Sequence, residues 1–188
     1  MNFREEINEL AAVLVELEAS VGGELERAVE ALCGSLRAGG KVLIFGNGGS
    51  AAEAQHFAAE LVNKYLKKRP AIRAISLTTD TSVLTSVGND LAFDQVFSRQ
   101  VEALAGRGDV ILALSTSGTS PNILRAVETA KTMGLVTVGL TGLGGGALAG
   151  LVDHLLAVPS ANTPRIQEAH LFLLHRLAWE IEICLGEG

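Results

Sequence analysis

Val110-Ile111-Leu112-Ala113-Leu114-Ser115-Thr116-Ser117-Gly118-Thr119-Ser120-Pro121 holds a strand, a hydroxyl-rich loop and a helix start in twelve residues. Val110–Leu114 is apolar throughout, as expected of a strand buried on both faces. Pro121 suits the first turn of a helix, where an N–H would be unsatisfied in any case. The same unit recurs in both directions along the chain. Lys41–Phe45, Ile72–Leu77, Val136–Leu140 and Leu155–Val158 read as further buried strands, each bounded by Gly, Asp or Ser/Thr. Helical stretches fall at Ser50–Lys67, Phe93–Ala105, Pro121–Met133 and Arg165–Leu185. The alternation predicts an α/β protein: a three-layer αβα sandwich around a mostly parallel five-stranded sheet, with right-handed crossovers. Such sheets bind ligands beyond the C-terminal strand ends, where the strand order switches.

Ahead of the first strand, Phe3, Ile7, Leu10, Leu14, Leu17 and Val21 repeat at steps of four and three. Gly22-Gly23 interrupts the seam, and Leu25, Val29, Leu32 and Leu36 resume it. This predicts two N-terminal helices whose apolar seam either packs on its own domain or joins subunits; the favoured reading is an extension over residues 1–38 used in oligomerisation, followed by one domain over 39–188. The chain has 188 residues, 48% of them apolar, and 21 glycines, which fits a single domain with many tight loops. A net charge of −6 offers no basic footprint for nucleic acid. Arg4-Glu5-Glu6 stands where a signal peptide needs its apolar core, and no apolar run reaches membrane-spanning length. Cys33 and Cys184 lie far apart and read as buried thiols in a reducing compartment. The expectation is a soluble cytoplasmic protein with neither membrane nor nucleic-acid partner.

Two loops carry the candidate chemistry. In Ser115–Ser120 the hydroxyls gather at a helix start, where free N–H groups and the positive dipole end favour an anion such as a sugar phosphate. No Walker lysine follows, which disfavours a nucleoside triphosphate. Gly46-Asn47-Gly48-Gly49-Ser50 follows the first strand and lacks the third glycine of a dinucleotide fingerprint. Val87-Gly88-Asn89-Asp90 reads as a turn near the same rim. His56 and Glu60, four apart, share a face of their helix, as a metal-binding pair does. Gln167 and His175 share a broad face of the last helix. Spacing alone leaves Glu168 and His170 open as further ligands, and His154 reads as a surface residue.

The Ser115–Ser120 loop resembles the signature of the sugar isomerase (SIS) domain family. Combined with Gly46–Ser50, Gln55-His56-Phe57-Ala58-Ala59-Glu60-Leu61, Gly88-Asn89-Asp90 and Arg165-Ile166-Gln167-Glu168, it closely resembles the phosphoheptose isomerases over nearly the whole chain. The resemblance implies a flavodoxin-like SIS sandwich and a cytoplasmic homotetramer with active sites between subunits. It implies conversion of sedoheptulose 7-phosphate to D-glycero-D-manno-heptose 7-phosphate through an enediol, the first step toward nucleotide-activated heptose for the lipopolysaccharide core. It also implies one zinc per subunit, held by His56, Glu60, Gln167 and His175. Substrate contacts would come from Asn47, Gly48, Gly49, Glu60, Asn89, Asp90, Ser115, Thr116, Ser117, Ser120 and Gln167. Glu60 would be the base and His175 its acid/base partner. Two positions depart from the family pattern: Lys64 replaces an expected arginine, and Pro164 a common aspartate. The rival reading is a non-catalytic SIS protein that binds the replication initiator; it shares several motifs but lacks counterparts of Glu60 and His175.

Overall fold

The apolar run that begins at Val110 becomes β3 (Val110–Ser115), buried along its whole length at the centre of the sheet. The computed structural model describes residues 2–186. In it β3 lies between β1 (Val42–Gly46) and β4 (Val136–Thr141), with β2 (Ala74–Ser76) and β5 (His154–Ala157) at the edges. Every pairing is parallel and the order is β2-β1-β3-β4-β5. The predicted five-stranded parallel sheet is therefore present, covered on both faces. Ile44, Leu112, Leu114 and Leu140 pack with α1 (Phe3–Arg37), α2 (Gly49–Val62) and α6 (Thr163–Leu185). Leu43, Phe45, Ile111 and Ala113 pack with α3 (Thr81–Asp90), α4 (Ser98–Leu104) and α5 (Pro121–Thr132). The order reverses between β1 and β3, so the loops that leave these two strands are neighbours at the switch point.

Several sequence expectations are corrected. Gly22-Gly23 does not split the N-terminal segment: α1 is one helix of 35 residues. Each glycine costs about 1 kcal/mol in a helix interior. That cost is outweighed by burial of Val13, Leu17, Val21, Ala28 and Leu32, and by a capping box between Asn2 and Glu5. This face of α1 packs on its own domain, against α6 and β5. Cys33 and Cys184 are not free thiols but a disulfide, with Cα atoms 6.5 Å apart. The pairing of α1 with α6 brings together two cysteines that 151 residues of sequence separate. Val87–Asp90 is the last turn of α3, capped at its other end by the Asp80 side chain on Val83 N–H, and not a loop turn. The stretch from Phe93 divides into a 3-10 turn, Phe93–Gln95, and the short α4. His154 opens β5, and its Nδ1 stands 2.8 Å from Glu24 Oε1, so it is an internal tie to α1 rather than a free surface residue.

Candidate active site

The turn from β1 into α2 depends on Gly48, whose φ of 55° and ψ of −120° no side-chain-bearing residue adopts readily. Gly49 follows because of what lies against it: a Cβ there would stand 2.4 Å from the Gln167 amide nitrogen. That contact is the first of four rungs between α2 and α6, which run side by side. Glu53 faces His170 on the second. His56 and Glu60 meet His175 on the third. Tyr65, just past the end of α2, meets both His175 and Glu182 on the fourth. The spacings 49, 53, 56 and 60 repeat along one face of a helix. An otherwise apolar helix pair thus carries a polar ladder.

The third rung is the chemical centre. His56 Nε2 lies 2.8 Å from His175 Nε2 and 3.4 Å from Glu60 Oε1, and ligand atoms of all three fall within 4.8 Å of one another. Among the described residues, this is the one group of three or more His, Cys, Asp or Glu side chains able to hold a metal ion. Two nitrogens bound to one tetrahedral zinc stand roughly 3.3 Å apart, given bonds of about 2.0–2.1 Å. The two imidazoles already approach that separation, with the carboxylate as a third donor. The donor set fits a metal of zinc's preferences.

The cluster is held from outside by residues the sequence reading did not single out. The Tyr65 ring stacks on His175, with centroids 5.3 Å apart and planes at 21°. Tyr65 is fixed in turn by Glu182, a fully buried carboxylate that accepts from the N–H groups of Tyr65, Leu66 and Lys67 and from Arg69 Nε. Burial works against that charge. The three N–H groups and the guanidinium overcome it and keep the Glu182 carboxyl below the ordinary carboxylate range. Arg69 also donates to the carbonyls of Glu60 and Leu61, which closes the last turn of α2. The predicted helix to Lys67 therefore ends at Val62, because its following residues serve this clamp.

The remaining predicted residues divide. In Ser115–Ser120, Ser115 Oγ accepts from Gly118 N–H and lies 3.4 Å from Ser120 Oγ, and Ser117 Oγ accepts from Thr119. Ser120 takes the N-cap position of α5, where its carbonyl accepts from Ile123 and Leu124 N–H and its side chain makes no cap bond, so the hydroxyl is left free for a ligand; Thr116 is half-buried. Gly118 sits at φ +64° with Gly145 O where a Cβ would be, so the loop lies flat on its neighbour. Asn47 does not point freely at the rim: its amide exchanges two hydrogen bonds, 2.8 and 2.9 Å, with Asn122 of α5. Asn122 went unnoticed because a polar residue in a helix's first turn is commonplace. Asn89 and Asp90 are exposed, and the Asn89 amide donates to the Asp90 carboxylate. Glu168, an open alternative as ligand, is taken by Arg165. His170 is fully buried one rung away. Lys64 is exposed, and Pro164 occupies the first turn of α6.

Known proteins show the same arrangement of chain and fold. A SIS domain profile matches residues 3–142. The chain is 54% identical over 160 residues to a phosphoheptose isomerase of Campylobacter jejuni subsp. jejuni, covering 85% of this chain and 86% of that one. Over 183 residues it is 53% identical to a phosphoheptose isomerase of Bradyrhizobium sp., covering 95% and 92%. The solved phosphoheptose isomerase of Neisseria gonorrhoeae matches with a TM-score of 0.91 at 42% identity, over 96% of both chains.

Proposed function

This chain belongs to the phosphoheptose isomerases of the SIS domain family, and from that premise we propose that it interconverts sedoheptulose 7-phosphate and D-glycero-D-manno-heptose 7-phosphate. The observation that carries the reading is the meeting of Glu60, His56 and His175 in one cluster. A non-catalytic partner of the replication initiator would have no use for the Glu60 and His175 side chains that converge here.

The reaction moves one hydrogen from C1 of the ketose to C2 and rearranges protons on the two oxygens. Glu60 takes the C1 proton, leaving an enediol, and returns a proton to C2. His175 supplies a proton to O2 and removes one from O1, so the two transfers balance. Tyr65, stacked on the imidazole, keeps that ring in line. Ser115, Thr116, Ser117 and Ser120 hold the phosphate at the start of α5. Asn47, Gly48, Gly49 and Gln167 line the β1–α2 turn for the sugar hydroxyls, with Asn89 and Asp90 completing the substrate contacts across a subunit boundary. His56, Glu60, Gln167 and His175 would hold one zinc per subunit. When bound, it supplies Lewis acidity toward the sugar oxygens.

The assembly is read as a cytoplasmic homotetramer joined through residues 1–38, with 39–188 as the catalytic domain. Phe3 and Val15 of α1 are 78% and 79% exposed, and a groove of about 680 Å3 between α1 and α6 is lined by Leu14, Val21, Leu25 and Phe172. These are surfaces suited to a second copy. No helix is long and apolar enough to cross a membrane among the described residues. The product would feed nucleotide-activated heptose synthesis. The test is direct: zinc-loaded protein is incubated with sedoheptulose 7-phosphate in D2O and followed by NMR. Aldoheptose phosphate bearing deuterium at C2 is expected; retained binding without conversion overturns the proposal.

A further inference from the structure

The second rung of the ladder poses a hydrogen-bonding problem that the reaction does not explain. His170 is completely buried, and its Nε2 lies 3.1 Å from the backbone oxygen of Thr141 at the end of β4. A carbonyl only accepts, so Nε2 must carry the ring hydrogen. Burial pushes the His170 imidazole down to about 4, so the ring is neutral and Nδ1 is a bare acceptor. Nδ1 faces Glu53 Oε2 across 3.9 Å, and both atoms are buried with no hydrogen-bond partner. An ionised Glu53 would set acceptor against acceptor, leaving two desolvated groups unsatisfied at once. Burial, only partly opposed by the Ser50 hydroxyl, pushes the Glu53 carboxyl up to about 7.

We propose that Glu53 is held as a neutral acid whose proton is donated to Nδ1 of His170, and that this rung positions α2 against α6. The 3.9 Å gap is about 1 Å beyond an ordinary hydrogen bond. A small rotation of the flexible Glu53 side chain closes it. Its place in the ladder gives the rung its purpose. Glu53 lies one turn before His56, and His170 lies between Gln167 and His175 on α6. Through the Thr141 carbonyl the rung is also anchored to the sheet. It therefore fixes how far apart, and in what register, the helices present His56 and Glu60 to His175. Glu53 is a positioning residue, since no contact with the reacting atoms is required of it.

The experiment uses the full chain and compares Glu53→Gln with Glu53→Ala. Glutamine's amide N–H donates to Nδ1 as the protonated acid would, whereas alanine leaves Nδ1 unpaired. Zinc affinity and kcat of Glu53→Gln should stay within about threefold of wild type. Those of Glu53→Ala should fall by roughly 10–100-fold, the usual loss when support behind a metal ligand is removed. Independently of turnover, wild-type protein at mildly acidic pH should show the infrared carbonyl stretch of a protonated carboxylic acid that Glu53→Gln lacks. Nitrogen NMR should find His170 neutral with hydrogen on Nε2. A missing carbonyl band would mean an ionised Glu53 bridged by water and overturns the proposal. So does a Glu53→Gln variant that fails to fold or loses as much zinc affinity as Glu53→Ala. The kinetic arm rests on the isomerase reading; the spectroscopic arms do not, so an inactive wild type and a failed rung are told apart.

Discussion

Glu60 and His56 were readable as a pair from their spacing on one helix, and the structure joins His175 to them. Glu60→Gln preserves shape but removes the base; kcat should fall by roughly 10²–10⁴-fold while the melting temperature holds, as measured by NMR turnover and thermal unfolding. Substantial remaining turnover would remove Glu60 from its role. Residue types alone did not distinguish Gln167 from Glu168 and His170. Arg165 decides against Glu168, and the Thr141 carbonyl commits His170 elsewhere, both through contacts made only in three dimensions. The Glu53 rung predicts a specific pH signature. Its titratable neighbours are His170 across the rung and His56 and Glu60 on the next turns of α2. The Glu53 carboxyl is raised from 4.5 to about 7, so its contribution to stability is whole below about 4.5 and is lost as pH rises through about 7. The His170 ring is lowered from 6.5 to about 4, so its contribution is lost as pH falls from 6.5 toward 4. Glu53→Gln abolishes the alkaline limb and keeps the acid one. Its stability relative to wild type should rise with pH by at most roughly 3 kcal/mol, measured by denaturant unfolding at several pH values.

At the scale of elements, strands and helices were legible wherever period and run length agreed, as in β1, β3, β4 and α5. The misreadings arose where tertiary contacts override local preference. Gly22-Gly23 has the chemistry of a break, yet packing against α6 carries α1 across it. The residues after Val62 have helical composition, but Glu182, more than a hundred positions away, recruits their N–H groups. The clamp has a measurable consequence. Glu182→Ala strips the partner from buried Arg69 and from three backbone donors, and should cost roughly 3–5 kcal/mol. Amide exchange at Tyr65, Leu66 and Lys67 should accelerate together; unchanged exchange there would show that something else holds the segment. Because Glu182 titrates below its ordinary 4.5, its stabilisation exists above that value and is lost as pH falls through the folded range.

Across the whole molecule, the acidic, glycine-rich composition pointed to one α/β domain, whereas assembly is a property of surfaces that composition does not describe. If the exposed side of α1 joins subunits, Val15→Glu should shift the particle to a smaller mass in light scattering without unfolding it. An unchanged mass would place the interface elsewhere. The disulfide was out of sight because nothing local couples Cys33 to Cys184. Replacing both with serine should lower stability by about 2–5 kcal/mol, read from chemical unfolding. The same bond gives the polypeptide an unusual connectivity. Residues 33 to 184 form a closed covalent ring, with residues 1–32 leading into it and 185–188 following. A protease that cuts one surface loop inside the ring would open it without releasing a fragment, and the two pieces would separate on a denaturing gel only after a reductant is added.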